Sequence, residues 1–153
     1  MRDGYMRSDP RFIAWQKDPG SVSPEDDGDQ SAWRELMREI TSRGVEVRRA
    51  RIISEPVSDY IRFEYHLTAD GNVSGEHTRW LPRRKASDLA LPGNDFWLFD
   101  GELVVFLHFT GDGELSPEGD EERTREPGLV RLCSHAFESV WERGIPHEEY
   151  APS

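Results

Sequence analysis

Residues 95–109 read DFWLFDGELVVFLHF, and this stretch decides the fold predicted for the chain. Two almost continuously apolar segments flank Asp100-Gly101. A two-residue Asp-Gly loop suits a type I′ turn because both of its central positions need positive φ, so the stretch predicts a β-hairpin. Because the two strands are apolar throughout rather than alternating, we expect the hairpin in the middle of a sheet, with helices covering both faces.

Two helices are predicted around this sheet. The first has apolar residues at positions i, i+3, i+4 and i+7, between a capping serine and a closing glycine. These residues are Ser31, Trp33, Leu36, Met37, Ile40 and Gly44. The last helix keeps the same spacing between Pro127 and Gly144. Its predicted core face consists of Leu129, Leu132, Cys133, Ala136, Phe137, Val140 and Trp141. Cys133 is therefore expected to be an inert thiol in the core.

A strand, a connecting segment and a second strand lie between the first helix and the hairpin. Residues 45–53 and 78–81 are typical of strands, although Arg49 and Arg51 fall on the apolar face of the first one. We expect a bulge or an exposed strand end there rather than a buried functional arginine. Residues 57–67 fit either a strand or a helix. A helix is favoured because it would complete a right-handed crossover between the two strands.

The predicted fold class is α/β, with α+β as the alternative. We expect a single layered domain with a mixed central sheet, the Asp-Gly hairpin at its centre and helices on both faces. An N-terminal segment at 1–30 would carry an acidic loop, PEDDGD at 24–29, and the domain at 31–150 would carry a second acidic loop at 112–126.

Charge limits the choice of partners. The 153 residues include 30 acidic against 19 basic side chains, a net charge of −11, which disfavours direct binding to nucleic acid or to anionic membranes. The chain contains no apolar run long enough to span a bilayer and no signal-peptide pattern, so a cytoplasmic protein is expected. A single cysteine agrees with a reducing compartment.

The candidate binding residues are centred on the basic and aromatic segment at 79–85. They are Arg51, Arg62, Glu64, Arg79, Trp80, Arg83, Arg84, Asn94, Asp95 and Trp97. Bidentate pairing of these arginines with carboxylates of the chain or of a protein partner is the favoured interpretation. A small anionic ligand comes second and nucleic acid third.

A catalytic alternative rests on His108 and Asp112, since a histidine and a carboxylate are the minimum for general acid–base chemistry. A histidine among apolar strand residues is more often a core side chain. Neither zinc-ligand spacing nor a calcium-loop pattern is present, and we expect no metal or cofactor.

Several segments carry a resemblance to a known family. They are MRDGYMRSDPRFIAW (1–15), VRRARIISEPVSDYIRFEY (47–65), GEHTRWLPRR (75–84), LPGNDFWLFD (91–100), HFTGDG (108–113) and FESVWERGIPHEEY (137–150). In these segments the chain resembles an uncharacterised domain family of actinobacterial genomes, often encoded beside Xre-type helix-turn-helix regulators. The resemblance implies a non-enzymatic regulatory or adaptor domain that binds such a regulator or a small anionic effector. The alternative is a hydrolase-like enzyme centred on His108 and Asp112.

Two further points follow from resemblance. Longer family members carry an additional stretch before the MRDGY position, and a missing first strand would leave a sheet edge open for pairing with a partner. The chain is also faintly similar to the phospholipase D fold, whose hairpin carries a His-x-Lys-x4-Asp signature. With Asp100 in the last position, Gly93 and Asp95 replace the histidine and the lysine. The similarity then implies binding without hydrolysis.

Overall fold

The computed structural model describes residues 3–22, 29–73 and 75–153, and all side chains in these ranges except those of 29–30 and 69–73. The helices are α1 (Pro10–Lys17), α2 (Asp29–Ser42), α3 (Asp59–Val73) and α4 (Pro127–Arg143). The strands are β1 (Val47–Ile53), β2 (Glu76–Pro82), β3 (Asp95–Phe99), β4 (Leu103–Leu107), β5 (Glu121–Thr124) and β6 (Ile145–Pro146). Helices and sheets thus form an α+β domain. None of the described helices combines the length and the apolar character needed to cross a membrane.

The predicted crossover is present. β1 and β2 pair in parallel from Val47 opposite Glu76 to Ile53 opposite Pro82, and α3 connects them. The choice of a helix for residues 57–67 is therefore confirmed, as is the strand following α2. The short β6 adds to β2 in antiparallel orientation, which makes a mixed three-stranded sheet in the order β1-β2-β6.

The Asp-Gly hairpin is also confirmed. β3 and β4 pair up to Phe99 opposite Leu103, so the connection is Asp100–Glu102, one residue longer than predicted. Asp100 and Gly101 have φ angles of 52° and 68°, both positive as in a type I′ turn, and the Glu102 N–H bonds to the Phe99 carbonyl. The hairpin's predicted place at the centre of one mixed sheet is wrong, because the hairpin and β5 form a separate antiparallel sheet in the order β3-β4-β5. Within this sheet only β4 is central.

The apolar character of the hairpin has a different origin from the one predicted. On one face Phe96, Leu98 and Phe106 pack with Val104 against the buried Val130 and Cys133 of α4. The other face meets side chains from outside this sheet. Trp97 contacts Trp33 of α2, and Asp95 accepts a hydrogen bond from Tyr5. Both faces are thus covered in part, although neither lies inside a larger sheet.

The acidic segment at 112–126 is not entirely a loop. Residues Glu121–Thr124 form β5, whose backbone pairs with the edge of β4 while Glu121 and Glu122 remain exposed. An exposed edge strand pairs through its backbone and does not need apolar side chains. The charged sequence of β5 therefore gave no indication of a strand. The other acidic loop, at 24–29, lies outside the described residues except for Asp29, which begins α2.

The predicted helix faces are right in part. In α2, Met37 is buried and Trp33 half-buried, but Leu36 is exposed, and Ser31 lies inside the helix because α2 already begins at Asp29. Gly44 ends the segment as predicted, with a positive φ of 86°.

In α4 the buried positions are Val130, Cys133, Ala136 and Val140, whereas Leu129 and Leu132 are exposed. Cys133, Ala136 and Val140 are thus buried as predicted, and Val130 takes the place of Leu129 and Leu132 near the start of the helix. Cys133 is fully buried, as predicted, and burial raises the pKa of its thiol.

The N-terminal residues add a helix that the sequence patterns did not predict. α1 begins after Asp9, whose side chain accepts a hydrogen bond from the backbone N–H of Arg11. Phe12 and Trp15 of α1 pack against Phe63 of α3, so that the N-terminal region forms part of the core.

The junction between α4 and β2 has no room for a side chain at Gly144. A Cβ there would lie 2.8 Å from Cβ of Arg79 and 3.2 Å from the carbonyl oxygen of Val140. We expect Gly144→Ala to lower the free energy of unfolding by about 1–3 kcal/mol, because the helix end must move away from the strand. Urea denaturation measures this change. Gly93→Ala is the control, since a Cβ at Gly93 meets nothing within 4 Å. Equal stabilities of the two variants would contradict the close approach.

Candidate functional site

The first group of candidate residues lies on the face of β1 and β2 that α3 covers. Arg51 forms an ion pair with Glu64 of α3, and both side chains are only 18% exposed. The Tyr60 hydroxyl donates a hydrogen bond of 2.9 Å to the other oxygen of Glu64. The guanidinium of Arg51 also lies 5.5 Å from the ring centre of Trp80. The predicted bulge or exposed end is wrong, because β1 pairs regularly and its arginine is balanced by a buried carboxylate.

The titration behaviour of this group follows from its neighbours. Burial alone would raise the pKa of Glu64, but the charge of Arg51 and the hydroxyl of Tyr60 outweigh burial and hold this pKa below its ordinary value. Burial, with the adjacent carboxylate, raises the pKa of Tyr60. Glu64 thus stays ionised and Tyr60 stays protonated as a hydrogen-bond donor. Constant protonation states of this kind are typical of residues with a structural role.

A second ion pair lies on the same face of the sheet, two residues before Arg51 on β1. Arg49 forms an ion pair with the buried Glu76, and its guanidinium lies between two indoles, 5.6 Å from Trp33 and 5.4 Å from Trp97. The Trp33 indole N–H lies 3.4 Å from the other oxygen of Glu76. Of these four residues, Trp97 was among the predicted binding residues. In the structure it connects the second sheet to α2 and β1.

Arg79 and Trp80 point to opposite faces of β2. The Arg79 guanidinium donates a 2.9 Å hydrogen bond to the carbonyl of Trp141 at the end of α4 and lies 4.5 Å from its ring centre. Trp80 is fully buried, stacks on Tyr150 and donates a hydrogen bond of 3.1 Å to Nδ1 of His147. The basic and aromatic segment at 79–85 is therefore not one continuous surface.

The rest of that segment lies at the carboxyl ends of β1 and β2. Arg83 Nε donates a 3.0 Å hydrogen bond to the hydroxyl of Ser54, and Arg83 Nη2 lies 3.4 Å from a carboxylate oxygen of Asp3. The Ser54 backbone N–H and hydroxyl each donate a 2.7 Å hydrogen bond to Asp3, one to each oxygen. One carboxylate is thus bound by three donor groups from the ends of two parallel strands.

Residues 3–8, named the strap here, extend from this point to the second sheet. The Tyr5 hydroxyl donates a 2.6 Å hydrogen bond to Asp95, and its ring packs edge-on against Phe109. Further along, the backbone N–H of Met6 bonds to the carbonyl of Gly113, and the hydroxyl of Ser8 bonds to Glu114. The strap thereby brings Arg83 and Asp95, two predicted site residues, to the same end of the molecule.

A cavity of about 280 Å³ lies beside the strap. It is lined by Asp3, Gly4, Arg7, Phe12, Gln16 and Tyr60. Its aromatic members Phe12 and Tyr60 pack edge-on at 5.3 Å, and Asp3 borders both the cavity and the donors of Ser54. We call the surface formed by the strap, Ser54, the turn Arg83–Lys85 and residues 94–95 the strap end.

The remaining predicted residues are exposed. The side chain of Arg84 is 80% exposed and lies 3.6 Å from Glu55, whereas Arg62 and Asn94 lie on the surface at α3 and just before β3. Asp3, Tyr5 and Ser54 were not predicted as site residues. Their partners lie 50 to 90 positions away in the chain, so no local spacing indicates them.

His108 is not a core side chain, since 33% of it is exposed. Its Nε2 lies 3.3 Å from Glu122 of β5, and the predicted partner Asp112 is exposed in the neighbouring turn. Among the described residues, no group of three or more histidine, cysteine or acidic side chains is arranged to bind a metal ion.

Comparison with known families gives one match. The profile of the family described as domain of unknown function (DUF6879) matches residues 1–152. The chain belongs to the DUF6879 family. No curated protein and no solved structure matches it. The candidate site in this DUF6879 chain must therefore be interpreted from its own geometry.

The pair of Arg51 and Glu64 gives a test of the covered face. We expect Glu64→Leu to cost about 3–5 kcal/mol in the free energy of unfolding, because Arg51 is left as an uncompensated buried charge. The double variant Arg51→Met, Glu64→Leu should cost clearly less than the two single variants together. Chemical denaturation of Arg51→Met, Glu64→Leu and the double variant measures the interaction energy between Arg51 and Glu64. Arg84→Met is the exposed control and should change stability by no more than about 0.5 kcal/mol. Additive costs would contradict the pairing.

His147 gives a prediction on pH. Burial lowers its pKa, so the folded chain keeps a neutral imidazole that accepts from Trp80. The unfolded chain takes up a proton first as the pH falls below about 6.5. Stability should therefore be complete above that pH and decline from there toward the lowered folded pKa. His147→Gln should flatten this decline of Tm, whereas exposed His135→Gln should not. An unchanged slope in His147→Gln would refute the assignment.

Proposed function

We propose that this DUF6879 chain is a non-enzymatic regulatory or adaptor domain that binds a protein partner at the strap end. One observation carries the proposal. The strap contacts both Arg83, which directly follows the carboxyl end of β2, and Asp95 at the start of β3, although the two residues are separate in the sequence. The carboxyl ends of parallel strands are where open α/β sheets bind their ligands.

The exposed cations of the turn are suited to a partner's carboxylates. Arg84 is largely exposed and Lys85 is exposed, while the deeper Arg51 and Arg79 are already paired within the chain. On a chain with a net charge of −11, two adjacent exposed cations form a local spot of opposite sign. Such a spot fixes the orientation of a partner that carries an acidic segment.

The partner that we propose is the Xre-type helix-turn-helix regulator with which the resembled actinobacterial family is associated. The proposal includes a location in the cytoplasm of such a bacterium. The fainter similarity to the phospholipase D fold agrees with binding rather than hydrolysis, since Gly93 cannot act as a nucleophile and Asp95 accepts the hydrogen bond of Tyr5.

A hydrolase-like enzyme is the second candidate. The observation that favours it is the contact between His108 and Glu122, at 3.3 Å and partly open to solvent. A carboxylate next to a histidine is the arrangement that general base catalysis requires. The partner-binding function is favoured because several predicted residues lie at the strap end, whereas this pair stands apart from them.

Charge reversal at the turn tests the partner-binding function. We expect the variant Arg84→Glu, Lys85→Glu to bind the proposed Xre-type regulator at least tenfold more weakly, because two attractive contacts become repulsive. Titration calorimetry with the purified regulator measures the affinity. The control Arg38→Glu, Arg131→Glu changes the same number of exposed charges on α2 and α4 and should bind as the wild type does. His108→Gln should also bind normally. A wild-type chain that fails to bind at micromolar concentrations would refute the proposal.

A further inference from the structure

We propose that Ser54 and Arg83 form a binding site for a small oxyanion, a carboxylate or a phosphate, and that Asp3 occupies this site as an internal ligand. The proposal deepens the proposed function, on which it rests in part, by naming the class of effector that the strap end would bind. The site itself is defined by contacts within the chain. We call Ser54 and Arg83 the cradle.

The donors of the cradle are arranged for two oxygens. The backbone N–H and the hydroxyl of Ser54 each bind one oxygen of Asp3 at 2.7 Å, and Arg83 Nη2 lies 3.5 and 3.4 Å from the two oxygens. The cradle is also fixed without Asp3. Arg83 Nε donates to the Ser54 hydroxyl at 3.0 Å, and its Nη2 lies 3.4 Å from the carbonyl of Ile52. Prearranged donors of this kind are the usual means of binding carboxylate and phosphate groups.

The cradle stabilises negative charge. Burial alone would raise the pKa of Asp3, but the hydrogen bonds from Ser54 and the charge of Arg83 outweigh it and lower the pKa below its ordinary value. The ionised state of Asp3 indicates that the cradle favours an anionic group over a neutral one. An external anion would meet the same donors.

The side chain of Asp3 can leave the cradle by rotation about its own bonds, while the Asp3 carbonyl keeps the hydrogen bond from the Ser58 hydroxyl. Gly4 separates Asp3 from Tyr5, and glycine allows the backbone to turn there at little cost. Tyr5 and Met6 keep their own contacts with Asp95 and Gly113. The side chains of Asp3 and Arg83 are 32% and 39% exposed, so an anion from solvent can reach them.

The cavity beside the strap accommodates the rest of such a ligand. Asp3 borders it, and its volume of about 280 Å³ is near the lower end of the range for small-molecule sites. The rings of Phe12 and Tyr60 provide apolar contact, and Arg7 provides a second cation. A small organic oxyanion with an apolar body is the class of compound that fits both parts.

Asp3 competes with any such ligand at a high effective concentration because it belongs to the same chain. The apparent affinity of the wild type for a free anion is reduced by the fraction of molecules in which Asp3 fills the cradle. Removing the Asp3 carboxylate should therefore strengthen anion binding by more than removing a nearby carboxylate that does not occupy the cradle.

The experiment compares anion binding by the full chain and its variants. We expect Asp3→Ala to bind inorganic phosphate or benzoate at least tenfold more tightly than the wild type, as measured by NMR titration of the Ser54 amide. Adding Arg83→Gln to Asp3→Ala should abolish the gain. The control Glu114→Ala removes a carboxylate that contacts the strap from outside it, the partner of Ser8, and should behave as the wild type does. A gain with either probe supports the cradle and identifies its preferred head group. No gain with both probes, or a gain that survives Arg83→Gln, would overturn it.

The wild type provides a second measurement that does not depend on the stability of a variant. Saturating phosphate should shift the amide signals of Gly4 and Ser54 as Asp3 leaves, with little change at Val104 in the core. Unchanged signals of Gly4 and Ser54 would overturn the proposal. Binding of the regulator is measured in a separate assay with variants of Arg84 and Lys85, so failure of the cradle and failure of the partner-binding function can be told apart.

Discussion

The pairing of two strand arginines with buried carboxylates is the constraint on which the rest of the structure depends. Arg49 and Arg51 lie on the covered face of β1, where an uncompensated charge would cost several kcal/mol. Glu76 and Glu64 neutralise them from β2 and α3. This requirement fixes the rotation of α3 on the sheet, and the indoles beside Arg49 bring α2 and the second sheet to the same place. Electrostatic matching thereby determines how the layers fit together.

The sequence patterns predicted most elements because apolar spacing and turn residues act locally. The Asp-Gly hairpin, the crossover helix and the helix after Pro127 all follow from a few neighbouring positions. The division into two sheets could not be predicted in this way, because strand neighbours depend on contacts between distant segments. The exposed Leu129 and Leu132 illustrate the same limit. Spacing identifies a helix, whereas the side that faces the core depends on what it packs against.

For the candidate site, the sequence indicated several of the binding residues but not which residues they contact. Arg51, Glu64, Arg83 and Asp95 were among the predicted binding residues, and each has a partner in the structure. The partners of Arg83 and Asp95 come from the strap, 80 to 90 positions earlier in the chain. Asp3 and Tyr5 have no periodic or motif context that would connect them with these residues. Only the folded geometry assembles the strap end.

The position of the strap also affects the order in which the protein forms. Residues 3–8 are synthesised well before their contact residues Ser54, Arg83, Asp95 and Gly113. Closing loops of this length is slow compared with forming the local crossover and hairpin. The strap is thus expected to dock last, after both sheets have formed. During synthesis, the neighbouring strand ends remain accessible to other molecules until that final step.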